Sequence, residues 1–276
     1  MGHMGEAATT PAYAESFAEA ADDFGVLGPQ LWEPVSTATI VRTRPMPGER
    51  VLDACCGDGA SALPTAELVG PEGHVDAVDA ARAMIDRLVT RAGGDLPQLH
   101  PHVGDVLEWD EDGYDLVQCV LGVFFFDDPR AGARHLVELA RPGGRVGLTV
   151  WAPGAIDALA EVLFEALLPH RPELADLDPD DASPVMRSAA TPGALAVWMT
   201  GLGLVQVRAD AVPRTLELTP ELAWGFARGT GMRALFGDLG EETVEEVRTA
   251  YLAALAEREI ERVDVGTLVG VGRRPE

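Results

Sequence analysis

Two acidic residues and a glycine-rich turn are the residues of this sequence best suited to hold a ligand. Asp53 ends a short apolar run, and Gly57 and Gly59 follow it before an Ala-rich stretch typical of a helix. Glycines in such a turn let the backbone approach a ligand closely. Asp79 ends the next apolar run, where a carboxylate can accept hydrogen bonds from both hydroxyls of a ribose. These residues predict a nucleoside site.

The elements around these residues alternate in a pattern that predicts a parallel sheet. Short β-branched runs that end at Gly or Asp are followed by Ala-rich helical stretches, which is typical of βαβ units. Because the carboxyl ends of parallel strands meet at one edge of a sheet, Asp53 and Asp79 are expected to lie close together. Strands are predicted at 50–55, 74–78, 99–103, 114–120, 145–151, 204–212 and 261–272, and helices at 12–25, 30–43, 60–69, 80–92, 130–140, 155–168, 191–202, 219–229 and 240–258.

Two kinds of cofactor compete for this site. Gly57, Gly59 and Ala62 match the G-x-G-x-x-A form of a dinucleotide fingerprint. However, Asp53 beside the turn and Asp58 inside it would place negative charge where two phosphates would bind. Both acids are compatible with a ligand that carries a sulfonium and an ammonium. A NAD(P)-dependent oxidoreductase remains the alternative, although the chain contains no Lys and therefore no Tyr-x-x-x-Lys pair.

Five short motifs follow one another between residues 45 and 151. They are LDACCGDG at 52–59, VDAA at 78–81 with Met84, GDV at 104–106, YDLVQC at 114–119 continuing through FDDP at 126–129, and LARPGGR at 139–145. Together they resemble the motifs of the class I S-adenosylmethionine-dependent methyltransferases. The resemblance is to the small-molecule branch that includes the ubiquinone and menaquinone methyltransferases ("methyltransferase type 11"), and it is looser over residues 152–276.

The resemblance implies an α/β fold, with a Rossmann-like sheet of seven strands, mainly parallel with one antiparallel strand, and helical cap insertions. Residues 1–4 look like a cloning remnant, and residues 5–276 are expected to form one methyltransferase domain. Within it we expect N-terminal helices at 5–45, a cofactor-binding core at 46–151, a cap insertion at 152–203, and C-terminal strands and helices at 204–276. Residues 152–200 and 213–258 are expected to cover the active site.

The resemblance also implies S-adenosylmethionine as cofactor and S-adenosylhomocysteine as product. Asp53 and the following turn would hold the methionine end, Asp79 the ribose, and Asp105 the adenine amino group. The implied cofactor-binding residues are Asp53, Ala54, Cys55, Gly57, Asp79, Ala80, Met84, Gly104, Asp105, Val106, Cys119 and Val120. The N-terminal helices, with Tyr13, Phe17 and Trp32, are expected to close over the cofactor.

One position departs from the family pattern. The family usually has Gly where Cys55 stands, and a Cys there is costly if its φ angle is positive.

The part of the site that would bind the molecule to be methylated, the acceptor, is expected to be apolar. Many relatives carry polar residues or His after the fourth strand, whereas residues 122–126 are apolar here, so no general base is evident. The candidate pocket residues are Phe124, Phe125, Trp151, Trp198, Trp224, Phe226, Met232 and Arg233. They predict transfer to a small apolar or aromatic acceptor by in-line displacement, driven by positioning and desolvation. A methyltransferase fold used for binding or pericyclic catalysis is a further alternative.

Composition limits the partners. The 276 residues carry a net charge of −24, which disfavours nucleic acid, and no apolar run is long enough to span a membrane. Of the three cysteines, Cys55, Cys56 and Cys119, the first two are adjacent and cannot easily bridge each other, so no disulfide framework is predicted. Cys55 and Cys56 do not predict a metal site, because no third ligand is suitably spaced for the pair. Free cysteines without an export signal predict the cytoplasm. A small-molecule partner is expected, and the sequence does not distinguish a monomer from a homodimer.

Overall fold

The structure is a computed structural model, and it describes residues 17, 20–176 and 184–276. Residues 1–4, Tyr13 and most of the first half of the helix predicted at 12–25 lie outside the described residues. The described strands are β1 (Arg50–Ala54), β2 (His74–Asp79), β3 (Leu99–Val103), β4 (Tyr114–Val120), β5 (Ala140–Trp151), β6 (Val205–Val212), β7 (Thr215–Glu217), β8 (Arg262–Asp264) and β9 (Thr267–Arg273).

The described helices alternate with the strands as far as β5. They are α1 (Ala21–Leu27), α2 (Glu33–Thr43), α3 (Ala62–Val69), α4 (Arg82–Ala92), α5 (Pro129–Leu139), α6 (Asp157–Leu167), α7 (Pro184–Ser188), α8 (Pro192–Thr200), α9 (Pro220–Gly229) and α10 (Glu241–Glu257). A π-helical segment, Gly28–Trp32, leads into α2, and a 3-10 segment, Gly231–Phe236, follows α9. Asp128 caps α5, because its side chain accepts hydrogen bonds from two N–H groups of the first turn.

Seven strands form the main sheet in the order β3-β2-β1-β4-β5-β9-β6. The strands from β1 to β5 are parallel, and β9 is antiparallel to both β5 and β6. The predicted fold class is therefore confirmed. The strand order reverses between β1 and β4, and this switch point leaves a crevice beyond the carboxyl ends of the two strands.

Apolar clusters cover both faces of the sheet and extend beyond it. One contains Leu52, Val117 and Leu148 of the sheet and packs against α5, α7 and α8. Another joins the N-terminal helices to α6, α9 and α10, and it includes Leu121 and Trp151 at the carboxyl ends of β4 and β5. The N-terminal and C-terminal helices thus close over that edge of the sheet.

The C-terminal half differs from the sequence expectation at two places. The strand predicted at 261–272 is divided into β8 and β9, because the Asp264 side chain accepts a hydrogen bond of 2.7 Å from the Gly266 N–H and turns the chain. β8 pairs with β7 in a separate two-stranded sheet. In addition, α8 packs on β6 and β9 and does not cover the crevice.

A buried carboxylate on β2 connects β2, β3 and β4 through its hydrogen-bond partners. The side chain of Asp76 on β2 is 4% exposed and accepts a 2.8 Å hydrogen bond from the Tyr114 hydroxyl. Its oxygens also lie 2.9 Å from His102 Nε2 and 3.0 Å from His74 Nε2. Burial on its own would raise the pKa of Asp76, but the bonds from Tyr114 and His74 hold this pKa below its ordinary value.

We expect Asp76→Ala to lower the free energy of unfolding by about 2–3 kcal/mol at pH 7, because the Tyr114 hydroxyl loses a buried partner. The depressed pKa means that this stabilisation is present above the unfolded pKa of about 3.9 and is lost as the pH falls through the folded value. Urea denaturation at several pH values measures it. Glu111→Gln, at an exposed partner of Arg50, is the control and should change little; an equal loss in both variants would contradict the account.

Candidate active site

The loop after β1 has the backbone conformation of a ligand-binding turn. Cys55, Gly57 and Gly59 all have positive φ angles, of 56°, 54° and 89°. At Gly59 a Cβ atom would lie 2.2 Å from Leu88 Cδ1 on α4, so this position requires glycine. Cys55 adopts the left-handed conformation that the sequence analysis identified as costly for a side chain.

Asp79 connects this loop to the loop after β2. One carboxylate oxygen of Asp79 accepts a 2.9 Å hydrogen bond from the Gly57 N–H, and the other accepts one of 2.9 Å from the Ala81 N–H. Burial raises the pKa of Asp79, and these two N–H donors oppose that rise. The side chain lines the crevice, so its remaining lone pairs are available to a ligand.

Asp53 lies one layer below the crevice. It is fully buried, and its Oδ2 accepts a 2.6 Å hydrogen bond from the Ser61 hydroxyl, which does line the crevice. Its Oδ1 has no hydrogen-bond partner among the described residues. Burial raises the pKa of Asp53 to about 7, although the Ser61 bond opposes this. Asp53 can therefore change charge near neutral pH, one side chain away from a bound ligand.

Asp58 does not have the environment that the sequence analysis gave it. Its Oδ1 lies 2.7 Å from Arg91 Nη1, and it is absent from the wall of the crevice. Burial raises the pKa of Asp58, and Arg91 opposes that rise. Arg91 also donates a 2.9 Å hydrogen bond to Glu33 at the start of α2. Asp58 thus ties the loop to α4 and α2, and its charge is met by Arg91.

A cavity of about 530 Å³ occupies the crevice. The predicted cofactor residues in its wall are Cys55, Gly57, Asp79, Ala80, Met84, Gly104, Asp105, Val106 and Val120. Asp53, Ala54 and Cys119 are fully buried beneath it. One oxygen of Asp105 accepts a 2.9 Å hydrogen bond from the Leu107 N–H, which fixes the side chain at the end of β3.

The predicted acceptor residues divide into two groups. Phe124, Phe125, Trp151 and Met232 lie in the cavity wall, whereas Trp198, Trp224, Phe226 and Arg233 do not. Trp198 belongs to α8 on the far side of β9, and Trp224 packs against Phe236 and Tyr251 with ring centroids 5.7 and 6.3 Å apart. Phe226 is fully buried in the helical core. Met232 and Arg233 are neighbours in a 3-10 segment, so their side chains point in different directions. Because the Met232 side chain faces the cavity, the Arg233 side chain faces away from it.

Aromatic residues from the N-terminal segment complete the wall. Phe17 and Trp32 both line the cavity. Phe17 meets Phe125 edge to face with centroids 5.2 Å apart, and Phe24 stacks on Trp32 at 4.7 Å. Several wall residues were not predicted from the sequence, among them Phe24, Val35, Ser36, Ser61, Leu121, Ile156, Thr230 and Leu235. Only the spacing of four between Trp32 and Ser36, which puts them on one helix face, could have indicated any of these.

The part of the chain that the structure describes contains no group of three or more His, Cys, Asp or Glu side chains arranged to hold a metal ion. None of its helices has the length and apolar character needed to cross a lipid bilayer.

The fold and the site together define a class of protein. A parallel sheet with one reversed strand, and an acid at the end of each of β2 and β3 facing a cavity at the switch point, are features of Rossmann-like methyltransferases. Residues 51–144 match the family described as a methyltransferase domain.

The relatives agree with this class. The chain is 29% identical over 258 residues to nocamycin O-methyltransferase of Saccharothrix syringae, covering 86% of each chain. It is 29% identical over 168 residues to aklanonic acid methyltransferase DauC of Streptomyces sp. (strain C5), covering 58% of this chain and 76% of that one. The solved structure of the [4+2]-cyclase SpnF has a TM-score of 0.59 and 14% identity over 97% of both chains, which shows the fold alone.

These matches support a class I S-adenosylmethionine-dependent methyltransferase of the small-molecule type, with S-adenosylmethionine as cofactor. The predictions of enzyme class and cofactor are confirmed. The cavity suits this cofactor, because Asp79 and Asp105 lie in its wall and the described wall residues include no Arg. Carboxylates without a cation suit a ligand with a sulfonium and an ammonium, and they disfavour the pyrophosphate of a dinucleotide.

We expect S-adenosylhomocysteine to bind about five- to tenfold more tightly at pH 8 than at pH 6, because the pKa of Asp53 is about 7 and the resemblance implies that Asp53 lies near the cationic amino group of the ligand. Isothermal titration across this range measures the effect. Asp53→Asn should bind with the affinity of the wild type at low pH and lose most of the pH dependence. A pH dependence that is identical in both proteins would contradict this role for Asp53.

Proposed function

We propose that the protein transfers the methyl group of S-adenosylmethionine to a small apolar or aromatic acceptor that enters the site already nucleophilic, such as a phenolate, an enolate carbon or a free amine. One observation carries this proposal. Beyond the cofactor residues, the described wall of the cavity consists of apolar and aromatic side chains with two hydroxyls, Ser36 and Thr230, and it contains no His, Asp or Glu.

The thiol nearest to this region is not a substitute for a base. Cys55 lines the cavity, but its hydrogen bond with Cys119 and its burial raise the pKa of the thiol well above the ordinary value. Burial likewise raises the pKa of Cys56. Both thiols therefore stay protonated at neutral pH, in agreement with a packing role, and the acceptor must supply its own electron pair.

The cofactor roles that we assign follow from position in the wall. The carboxylate of Asp79 would accept hydrogen bonds from the ribose hydroxyls, and the free oxygen of Asp105 would accept one from the adenine amino group. Met84 and Val106 would pack against the adenine ring. The loop at Gly57, with Ser61 and Asp53 beneath it, would hold the methionine end.

The chain's contribution to the reaction is then positioning and exclusion of water. The cofactor supplies a methyl group on a sulfonium, from which a thioether departs as a good leaving group. Phe124, Phe125 and Met232 bound the acceptor side, so they would hold a flat acceptor against the methyl group and leave its nucleophilic atom poorly solvated. No proton needs to be removed within the site if the acceptor binds as its conjugate base.

The relatives support the acceptor class. One is named as an O-methyltransferase, and another is named for an organic acid as its acceptor. Both names describe transfer to small organic molecules. The likeness to a cyclase concerns the fold alone and does not favour a non-methylating role.

We expect methylated product from phenols and enolic acids of graded acidity, together with an equimolar amount of S-adenosylhomocysteine, measured by mass spectrometry. The pH at which kcat/KM rises should move with the pKa of the acceptor, because no group of the protein removes the proton. Phe124→Leu, which keeps the wall apolar, should retain the same pH profile. Binding of S-adenosylhomocysteine without any methylated product, or one inflection shared by acceptors of different acidity, would contradict the proposal.

A further inference from the structure

We propose that the Ser36 hydroxyl and the Trp151 indole N–H form a two-donor site that binds a negatively charged oxygen of the acceptor. This inference rests on the proposed function and narrows it, since it assigns the acceptor an oxyanion, as in a phenolate or an enolate. It also gives the protein a means of stabilising the conjugate base of the acceptor without a proton-abstracting residue.

Ser36 is a buried hydroxyl that faces the cavity without a partner. The residue is 3% exposed and lies in the cavity wall, and its hydroxyl has no hydrogen bond to any residue that the structure describes. The other hydroxyls of the wall are engaged. Ser61 donates to Asp53 at 2.6 Å, and Thr230 donates to the Phe226 carbonyl at 2.8 Å. Ser36 is therefore the side-chain hydroxyl of the described wall whose proton is available to a ligand.

Trp151 supplies the second donor from the last residue of β5. It is 9% exposed and lines the cavity, and its indole N–H has no acceptor among the described residues. The neighbouring Trp32 differs, because its N–H donates to the Phe24 carbonyl at 3.0 Å. A buried indole N–H normally has a hydrogen-bond partner, so the free N–H of Trp151 indicates a place for a ligand acceptor.

The packing of α2 on β5 brings the two donors together. Thr39 Oγ1 on α2 lies 2.6 Å from Thr149 Oγ1 on β5. The ring centroids of Trp32 and Trp151 are 6.5 Å apart. Ser36 falls between Trp32 and Thr39 on the same face of the helix. Trp151 is two residues beyond Thr149 and points to the same side of the strand. Ser36 therefore lies beside Trp151, and both open into one cavity.

The chemistry of this pair selects an anionic oxygen. An indole N–H can only donate, and a hydroxyl with no competing acceptor presents its proton to the ligand. Hydrogen bonds to a charged oxygen are stronger than those to a neutral one, so binding favours the ionised acceptor. The acceptor then loses its proton to solvent and keeps the electron pair that forms the new bond to the methyl carbon. The pKa of the bound acceptor falls as a result.

The test uses 4-nitrophenol as the probe, with nitrobenzene as the neutral analogue that lacks the phenolic oxygen. We expect the pKa of 4-nitrophenol bound to the S-adenosylhomocysteine complex to fall by about one unit, read from the absorbance of the anion. Ser36→Ala and Trp151→Phe should each weaken nitrophenolate binding about three- to tenfold. Nitrobenzene binding should change less than about twofold in both variants.

Controls separate this site from other roles. Thr37→Ala removes an exposed hydroxyl from the same helix, where it bonds the Glu33 carbonyl, and it should bind the probe like the wild type. Affinity for S-adenosylhomocysteine should be unchanged in Ser36→Ala. Weakened cofactor binding with unaltered nitrophenolate binding would assign Ser36 to the cofactor and overturn the inference, as would variants that match the wild type. Ser36-dependent binding of nitrophenolate without methylation of any acceptor would refute the proposed function and leave the two-donor site standing.

Discussion

The site depends on one half-buried carboxylate that holds two loops in place. Asp79 accepts hydrogen bonds of 2.9 Å from the Gly57 and Ala81 N–H groups, which follow β1 and β2 respectively. A buried carboxylate is costly unless it is hydrogen-bonded, so the two loops and the acid stabilise one another. These hydrogen bonds hold the first loop, with its positive φ angles, at the cavity that the reversal of strand order creates.

The cavity has two regions that differ in charge: an acidic region proposed to bind the cofactor and an apolar region proposed to bind the acceptor. The cofactor side carries Asp79 and Asp105 in its wall and Asp53 below it, whereas Arg91 meets the charge of Asp58 away from the cavity. The acceptor side is apolar and aromatic. Among the described residues, Asp53, Asp79 and Asp105 are the acids that we propose meet the positive charge of the cofactor.

The features predicted correctly from the sequence are those that depend on residues close together in the chain. The central strands, the Gly57 loop and the acid at Asp79 were predicted correctly in place, because buried parallel strands and tight turns leave strong signals in sequence. Trp198 was wrongly assigned to the pocket, since an apolar helix does not reveal which part of a sheet it will cover. The division at Gly266 depends on one side-chain hydrogen bond. Ser36 could not be singled out, because its position follows from the contact between Thr39 and Thr149, which are 110 residues apart.

The central claim is that a nucleoside binds at the carboxyl edge of the sheet through Asp79. Isothermal titration of S-adenosylhomocysteine into Asp79→Ala tests it most directly, with Asp86→Ala on the exposed face of α4 as the matched control. The account predicts that Asp79→Ala loses at least about thirtyfold in affinity, because charge-assisted hydrogen bonds to the ribose disappear, and that Asp86→Ala binds normally. Wild-type affinity in a folded Asp79→Ala variant would contradict it.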